Sequence, residues 1–538
     1  MTLPTDLFGV LAEAATRYGD RDYLVVGRRA EVISFAELAR RAELFGRVLA
    51  AHDVRPGDRV AVWMTNQVDW AVAAYGIARC GAVLVGVNTR LTAREVAHMI
   101  GLSRPKLWIL EADFLGKVRA VDAVAPILAG LREAGVKPPL VMLRGPTQDG
   151  MIDFVAVQRD AEELPELPPS AELVSRSGGG EFPELAGVAA ILSTSGTTAA
   201  PKGVMLGHAS LISLAVAVAE RQLMAPDQRF YSVGPFFHCS GYMHGLLATL
   251  VSGCTYFTAQ GYRADEAWDV IAGERVHMYH GSIIPLQEIA LLPHYDPSRL
   301  ADFDRAWYSA PAVEMARLEE LLGARQCEVY GLTETGGNVA ICCAADPADM
   351  RHDSDGRPHD GIDVIIVDPD TGQQQPEGTP GEIRVRGWNV MLGYFRDPAA
   401  TAKAIGEDGF LRTGDRGVLL PGGFLKFLSR LKDVIRVGGE NLSPLEVEEV
   451  LMAHPVVQEV AVVAAPHPRL GEVPVAFIVP KPGLPPDADE LRAHCRAQLA
   501  NFKVPTRFIF LDDLPRSQAV MRVSKARLRE MLADPAYA

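Results

Sequence analysis

Residues 193–204 read STSGTTAAPKGV, and the rest of the chain is organised around them. An apolar run at 188–192 precedes them with the pattern of a buried strand. After them come Leu206, Gly207 and an Ala/Leu/Val-rich stretch with the pattern of a helix. Between lie five hydroxyls (Ser193, Thr194, Ser195, Thr197, Thr198) with Gly196, Gly203 and Lys202. Glycine lets backbone N–H groups approach an anion closely, and lysine adds a point charge, so the loop suits a polyphosphate. It is not a P-loop. Pro201 stands where that motif has glycine before the lysine, and Gly203 stands where it has the Ser/Thr that ligates Mg2+.

Upstream, strand patterns at 59–64, 83–87, 107–110 and 140–143 alternate with helical ones at 66–80 and from Thr92 onward, where Glu95 completes a capping box. Such alternation predicts a parallel sheet with helices on both faces, and such sheets bind ligands at the carboxyl ends of their strands. Residues 144–187 carry no period and read as an irregular connection. A composition break lies near 421–423. Beyond it strands are expected at 460–464, 473–479 and 507–511, a helix at 487–502, and another helix N-capped by Ser443 with Pro444 first and Glu446 third. The fold class expected is α/β: a large N-terminal domain of doubly wound sheets, 1–430, and a small mobile α+β domain, 431–538.

The length of 538 residues calls for more than one domain, and 48% hydrophobic with 22% charged residues is ordinary for a globular protein. A net charge of −14 disfavours a nucleic-acid surface. Seven cysteines form no C-x-x-C pair, which fits a reducing cytoplasm. The first ten residues lack the basic and apolar segments of a signal peptide, and the apolar run 211–219 is too short to span a bilayer. A cytoplasmic monomer or homodimer, bound to neither membrane nor nucleic acid, is the expectation.

The second informative stretch is YGLTETGG, 330–337. A Mg2+–ATP site needs an oxygen ligand for the metal, a hydroxyl near the α-phosphate and a flat surface for adenine. Glu334, Thr333 and Tyr330 have those chemistries in that order. Further along stand TGD at 413–415, preceded by GEIRVRG (381–387) and GYFRDP (393–398), then SRLKDVIRVGGEN at 429–441 and PFFHCSGY at 235–242.

Taken in order, these stretches resemble the adenylate-forming enzymes: acyl-CoA synthetases, peptide-synthetase adenylation domains and luciferases. The resemblance implies that Thr194, Ser195, Gly196, Thr197, Thr198 and Lys202 hold the phosphates. It implies that Tyr330 and Thr333 contact the nucleotide, Glu334 binds Mg2+, and Asp415 binds the ribose hydroxyls. Arg430 would contact ribose and phosphate, and Lys432 would be the pivot of the small domain. Gly438 and Gly439 would approach the nucleophile's tunnel, and His238 would lie between phosphates and acyl pocket. Cys239 is read as a small buried residue, not a nucleophile. Three positions depart from the pattern: Ala199 and Ser429 replace glycines, and residues 517–522, SQAVMR, lack the terminal Gly-Lys. Aligned from LPR at 514–516, Met521 takes the lysine position; aligned from the longer match downstream, VSKARLRE at 523–530, Arg522 does, and that alignment is preferred. Arginine keeps the charge but is wider and flatter.

The activity implied is ATP-dependent activation of a carboxylic acid as acyl-AMP, then transfer to coenzyme A with release of AMP and pyrophosphate. Lys202, His238, Thr333, Glu334 and Arg522 are the expected catalytic residues. The expected acyl pocket draws on 237–244, 277–284, 308–313 and 336–340, with His238, Tyr242, His244, Tyr279, His280, Ser282 and Asn338. A long alkyl chain would leave such groups unpaired, so the acid expected is aromatic or small and polar. The alternatives are a different acceptor or acid (an amide- or carrier-loading ligase, an ATP-dependent diazotase) and a non-catalytic nucleotide-binding relative.

Overall fold

A computed structural model describes residues 4–116, 118–146, 148–193, 201–437, 440–516 and 523–534. Apolar, β-branched runs build its first large sheet. Val188–Ser193, Val83–Gly86, Arg59–Trp63, Leu107–Glu111 and Leu140–Arg144 lie side by side and parallel. They are buried on both faces, as helix-covered parallel strands must be. The helix Val68–Arg79 is buried at every residue, its two charged side chains Asp69 and Arg79 being held in ion pairs. The helix Ala93–Ser103 begins with the expected capping box: Thr92 N–H donates to Glu95 Oε2 at 2.8 Å, and Glu95 N–H returns to Thr92 Oγ1.

Gly203–Gly207 is a strand where the sequence suggested only an approach to the helix. It folds back antiparallel on Val188–Ser193 before the helix His208–Arg221 begins. Val188–Ser193 thus has Gly203–Gly207 as its antiparallel neighbour on one side and the parallel Val83–Gly86 on the other, and Ser193 stands at its carboxyl end. The connection 144–187 is irregular as expected, with 3-10 turns, a two-residue strand Ile152–Asp153 at the sheet edge and one short helix, Ser170–Ser175.

The second sheet runs Arg325–Cys327, Arg305–Trp307, Met278–His280, Arg229–Tyr231, Thr255–Thr258, Asp22–Val26, Glu31–Ser34, and only its last pair is antiparallel. Its carboxyl ends lead into 234–238, His280, Tyr308 and Tyr330. A four-stranded antiparallel sheet, Ile362–Val367, Gly381–Gly387, Leu411–Leu420, Phe424–Arg430, completes the large unit.

Past the 3-10 turn Leu431–Asp433 the small unit has its own five-stranded sheet and its own core, including Ile435, Leu442, Val447, Leu451, Ala476 and Ile478. The strands expected at 460–464 and 473–479 are longer, Val457–His467 and Gly471–Pro480, and the helix is shorter, Ala488–Gln498. One local expectation fails. Ser443 precedes the helix Pro444–Met452 but does not cap it; its hydroxyl donates to the Leu428 carbonyl at 2.8 Å. No helix among the described residues is long and apolar enough to cross a membrane.

Candidate active site

The 330–337 stretch makes a tight corner. Val329–Tyr330 ends a short strand, Thr333–Thr335 forms a 3-10 turn, and Gly336 and Gly337 follow at φ 65° and 96°. Only glycine adopts such angles freely. Glu334 is half-buried in this turn. Its Oε1 accepts from Tyr394 Oη at 2.8 Å, and its backbone carbonyl accepts from Met391 N at 2.8 Å. Lys202 Nζ sits 4.5 Å from the centroid of the same Tyr394 ring, a cation–π contact. Lys202, Tyr394 and Glu334 thus form one group, although 192 residues of sequence separate the first from Tyr394.

Behind this group lies a second. Asp415 is 1% exposed; its Oδ2 accepts from Tyr330 Oη at 2.9 Å and its Oδ1 faces Arg430 Nε at 2.9 Å. Its position is set by Thr413, whose hydroxyl donates to the Ile383 carbonyl and accepts from Asp415 N–H. Burial, then the Asp415 charge, pushes the Tyr330 phenol well above its ordinary value, so it stays a donor. The Tyr330 ring stacks on Phe427, centroids 5.8 Å apart and planes 21° from parallel. A carboxylate accepts several hydrogen bonds, and Tyr330 and Arg430 hold this one in place.

His238 is the N-cap of the short helix Cys239–Gly241, and its Nδ1 accepts from Ser240 N at 3.2 Å. The Cys239 thiol is buried and pushed up to about 12, by burial first and by the Glu334 charge second, which removes it as a nucleophile at neutral pH. Lys432 is exposed in the turn Leu431–Asp433. Thr194, Ser195, Gly196, Thr197, Thr198, Gly438, Gly439 and Arg522 lie outside the described residues.

The expected acyl pocket needs a correction. Most of its polar groups are already paired inside the protein. His244 lies between Trp307 Nε1, 3.2 Å from its Nδ1, and the Gly337 carbonyl, 3.4 Å from its Nε2. Tyr279 Oη donates to the Ser282 carbonyl at 2.8 Å. Asn338 Oδ1 lies 3.0 Å from His359 Nε2, and its carbonyl accepts from Asn389 Nδ2. The polarity counted in sequence is therefore largely internal wiring. Tyr394, Phe427 and Trp307 were not named in the sequence reading. Only the glycine before Tyr394 and the alternation around Phe427 mark them, and neither signal says which neighbour each ring meets.

Comparison with known proteins shows the family. The AMP-binding enzyme family model matches residues 11–395, and the AMP-binding enzyme C-terminal domain model matches 446–519. The chain is 34% identical over 541 residues to a 3-[(3aS,4S,7aS)-7a-methyl-1,5-dioxo-octahydro-1H-inden-4-yl]propanoyl:CoA ligase of Rhodococcus jostii, covering 98% of this chain and 99% of that one. It is 31% identical to a sulfoacetate–CoA ligase of Cupriavidus necator, with 95% of each covered. The crystal structure of ATP-bound MatB from Rhodopseudomonas palustris superposes with a TM-score of 0.84 at 28% identity, over 98% of this chain and 99% of that one. The chain belongs to the AMP-binding, adenylate-forming enzyme family and is an AMP-forming acid–CoA ligase.

Proposed function

We propose that this ligase activates an aromatic or small polar acid, and that Lys202, Glu334, Tyr330, Asp415 and Arg430 handle its nucleotide. The observation that carries the nucleotide assignment is the double cluster: Glu334–Tyr394–Lys202 on one side, Tyr330–Asp415–Arg430 on the other. Glu334 leaves one carboxylate oxygen without a hydrogen bond among the described residues, and Lys202 makes no ion pair there. An anionic ligand with its own cation fits both. No three His, Cys, Asp or Glu side chains converge on a metal site among the described residues. A cation at Glu334 would draw its other oxygens from phosphates and water, the pattern Mg2+ favours. Bound there, Mg2+ would offset charge on the reacting phosphates.

The residues divide the work. Tyr330 and Phe427 offer a flat face to adenine, and Asp415 accepts from the ribose hydroxyls. Arg430 and Lys202 offset phosphate charge, and Thr333 offers a hydroxyl at the α-phosphate. As the acid oxygen attacks that phosphorus, negative charge gathers on the phosphoryl oxygens, where fixed cations act most strongly. Arg522 takes the part of the terminal lysine in that step. The unit 431–538 then turns about Lys432, and the coenzyme A thiol attacks the adenylate carbonyl.

The acid class rests on the rings that gather at the sheet's end. His244, His280 and Trp307 present stacked flat faces, with His244 and His280 centroids 4.1 Å apart. These rings suit a compact or planar acid better than a long alkyl chain. The test is pyrophosphate release over a panel of acids, with and without coenzyme A. Aromatic or small polar acids should turn over in wild type and lose at least about 100-fold in Glu334→Gln. Palmitate as the sole good substrate would overturn the acid class. Full turnover in Glu334→Gln would overturn the nucleotide assignment.

A further inference from the structure

Three side chains at the carboxyl end of the second sheet fix one another's protons. Trp307 Nε1–H donates to His244 Nδ1 at 3.2 Å. An indole nitrogen can only donate, so His244 carries its proton on Nε2, which faces the Gly337 carbonyl. His280 stacks on His244, and its Nδ1 lies 2.8 Å from the Trp307 carbonyl. A carbonyl can only accept, so His280 carries its proton on Nδ1 and its Nε2 keeps a lone pair. His280 is 5% exposed, and that nitrogen has no hydrogen-bond partner among the described residues. Burial lowers both rings, His280 to about 4, so both are neutral at working pH. The lone pair belongs to the same end of the sheet as the reaction. His238 acts electrostatically on both rings, and His244 faces the carbonyl of Gly337, three residues after Glu334.

A ligand that brings a donor to this accessible lone pair gains a hydrogen bond in poorly hydrated surroundings. We infer that His280 Nε2 is a specificity-determining acceptor, receiving a hydrogen bond from an O–H or N–H group that the acid carries away from its carboxylate. The inference rests on the proposed acid class and narrows it. Tyr279 and His244 are spent on internal partners, and Asn338 has its Oδ1 held by His359 and only its donor Nδ2 unpartnered, so His280 Nε2 is the acceptor this end of the sheet offers.

The experiment compares matched acids with the full-length enzyme: phenylpropanoate, phenylacetate and benzoate against their hydroxy, amino and O-methyl forms, read as pyrophosphate release. The best donor-bearing acid should exceed its O-methyl partner in kcat/KM by about tenfold or more. In His280→Phe, which keeps a ring but no acceptor, that ratio should fall close to one. In His280→Gln, whose amide oxygen is an acceptor, it should recover in part. The wild-type ratio should be flat from about pH 6 to 9, since a neutral ring has nothing to lose there. An unchanged ratio in a folded His280→Phe enzyme, or preference for the O-methyl acid in wild type, overturns the inference. Should His280→Phe fail to fold, the 15N resonance of His280 Nε2 in wild type decides. A shift with the donor-bearing acid and none with its O-methyl partner supports the assignment; identical responses overturn it. Failure of the proposed acid class looks different: no acid in the panel turns over although ATP binds, and the inference falls with it.

Discussion

At the scale of single residues, Tyr394 joins Glu334 and Lys202, the group proposed to hold the phosphates and Mg2+. Its hydroxyl orients Glu334 while its ring faces the Lys202 ammonium, so it holds a carboxylate and a cation about one aromatic ring. Tyr394→Phe removes the hydrogen bond and keeps the ring. The half-saturating Mg2+ concentration for pyrophosphate release should rise by about three- to tenfold, with little change in melting temperature. Tyr394→Ala should raise it further and also weaken ATP. Equal Mg2+ curves for wild type and Tyr394→Phe would show that Glu334 is positioned by something else. Asp355 is the second residue of this kind. It is 5% exposed, its Oδ2 accepts from Phe427 N–H, and burial, reinforced by the Asp415 charge, raises its carboxyl to about 7. The native state therefore holds a proton that the unfolded chain releases near pH 4, and stability must fall as pH rises through 7. Asp355→Asn keeps the acceptor without the charge. Its melting temperature should exceed wild type at pH 8 and converge with it near pH 4; a constant offset across that range would refute the assignment.

At the scale of elements, the corner 330–337 shows why part of this site was readable. Its glycines are needed where they stand. A Cβ on Gly337, at φ 96°, would lie 2.5 Å from Cys239 Cβ. Gly337→Ala should cost about 1–3 kcal/mol in stability and displace the turn that holds Glu334, lowering turnover more than ATP affinity. Adding Cys239→Gly should recover part of the stability by removing the clash; no recovery would place the cost in backbone strain alone. Such local rules make turns, caps and buried strands legible. The Thr92 capping box and the strands at 59–63 and 83–86 lie close to where their patterns put them. What spacing cannot show is partner choice. Ser443 has the identity of a cap, yet its hydroxyl donates across to the Leu428 carbonyl and accepts from no N–H of its own helix. Strand Gly203–Gly207 was hidden because its apolar run merges into the helix that follows. The acid pocket misled for a related reason: histidines and asparagines read as available are bonded to tryptophan, backbone and one another.

At the scale of the molecule, few specific bonds join the two units among the described residues. Within the small unit, Arg529 pairs with Asp433 and Lys525 with Glu448, so its last helix Lys525–Met531 is tied to the turn that carries Lys432. Between the units, Ser443 Oγ donates to the Leu428 carbonyl in the final strand of the large unit. A ligase with two half-reactions presents different groups to the nucleotide in each, and a bond made in one arrangement biases the balance toward it. Removing that bond should therefore not slow the enzyme uniformly. Ser443→Ala should move the two half-reactions in opposite directions, each by about two- to tenfold, as expected for the loss of one neutral hydrogen bond. Acid-dependent pyrophosphate exchange reads the first half-reaction, and single-turnover transfer from preformed adenylate to coenzyme A reads the second. The half that slows is the one served by the arrangement in which Ser443 reaches Leu428, and Ser443→Thr, which keeps the hydroxyl, should return both rates toward wild type. Parallel decline of both rates, or no change in either, would show that the Ser443 bond stabilises the protein without choosing between its arrangements.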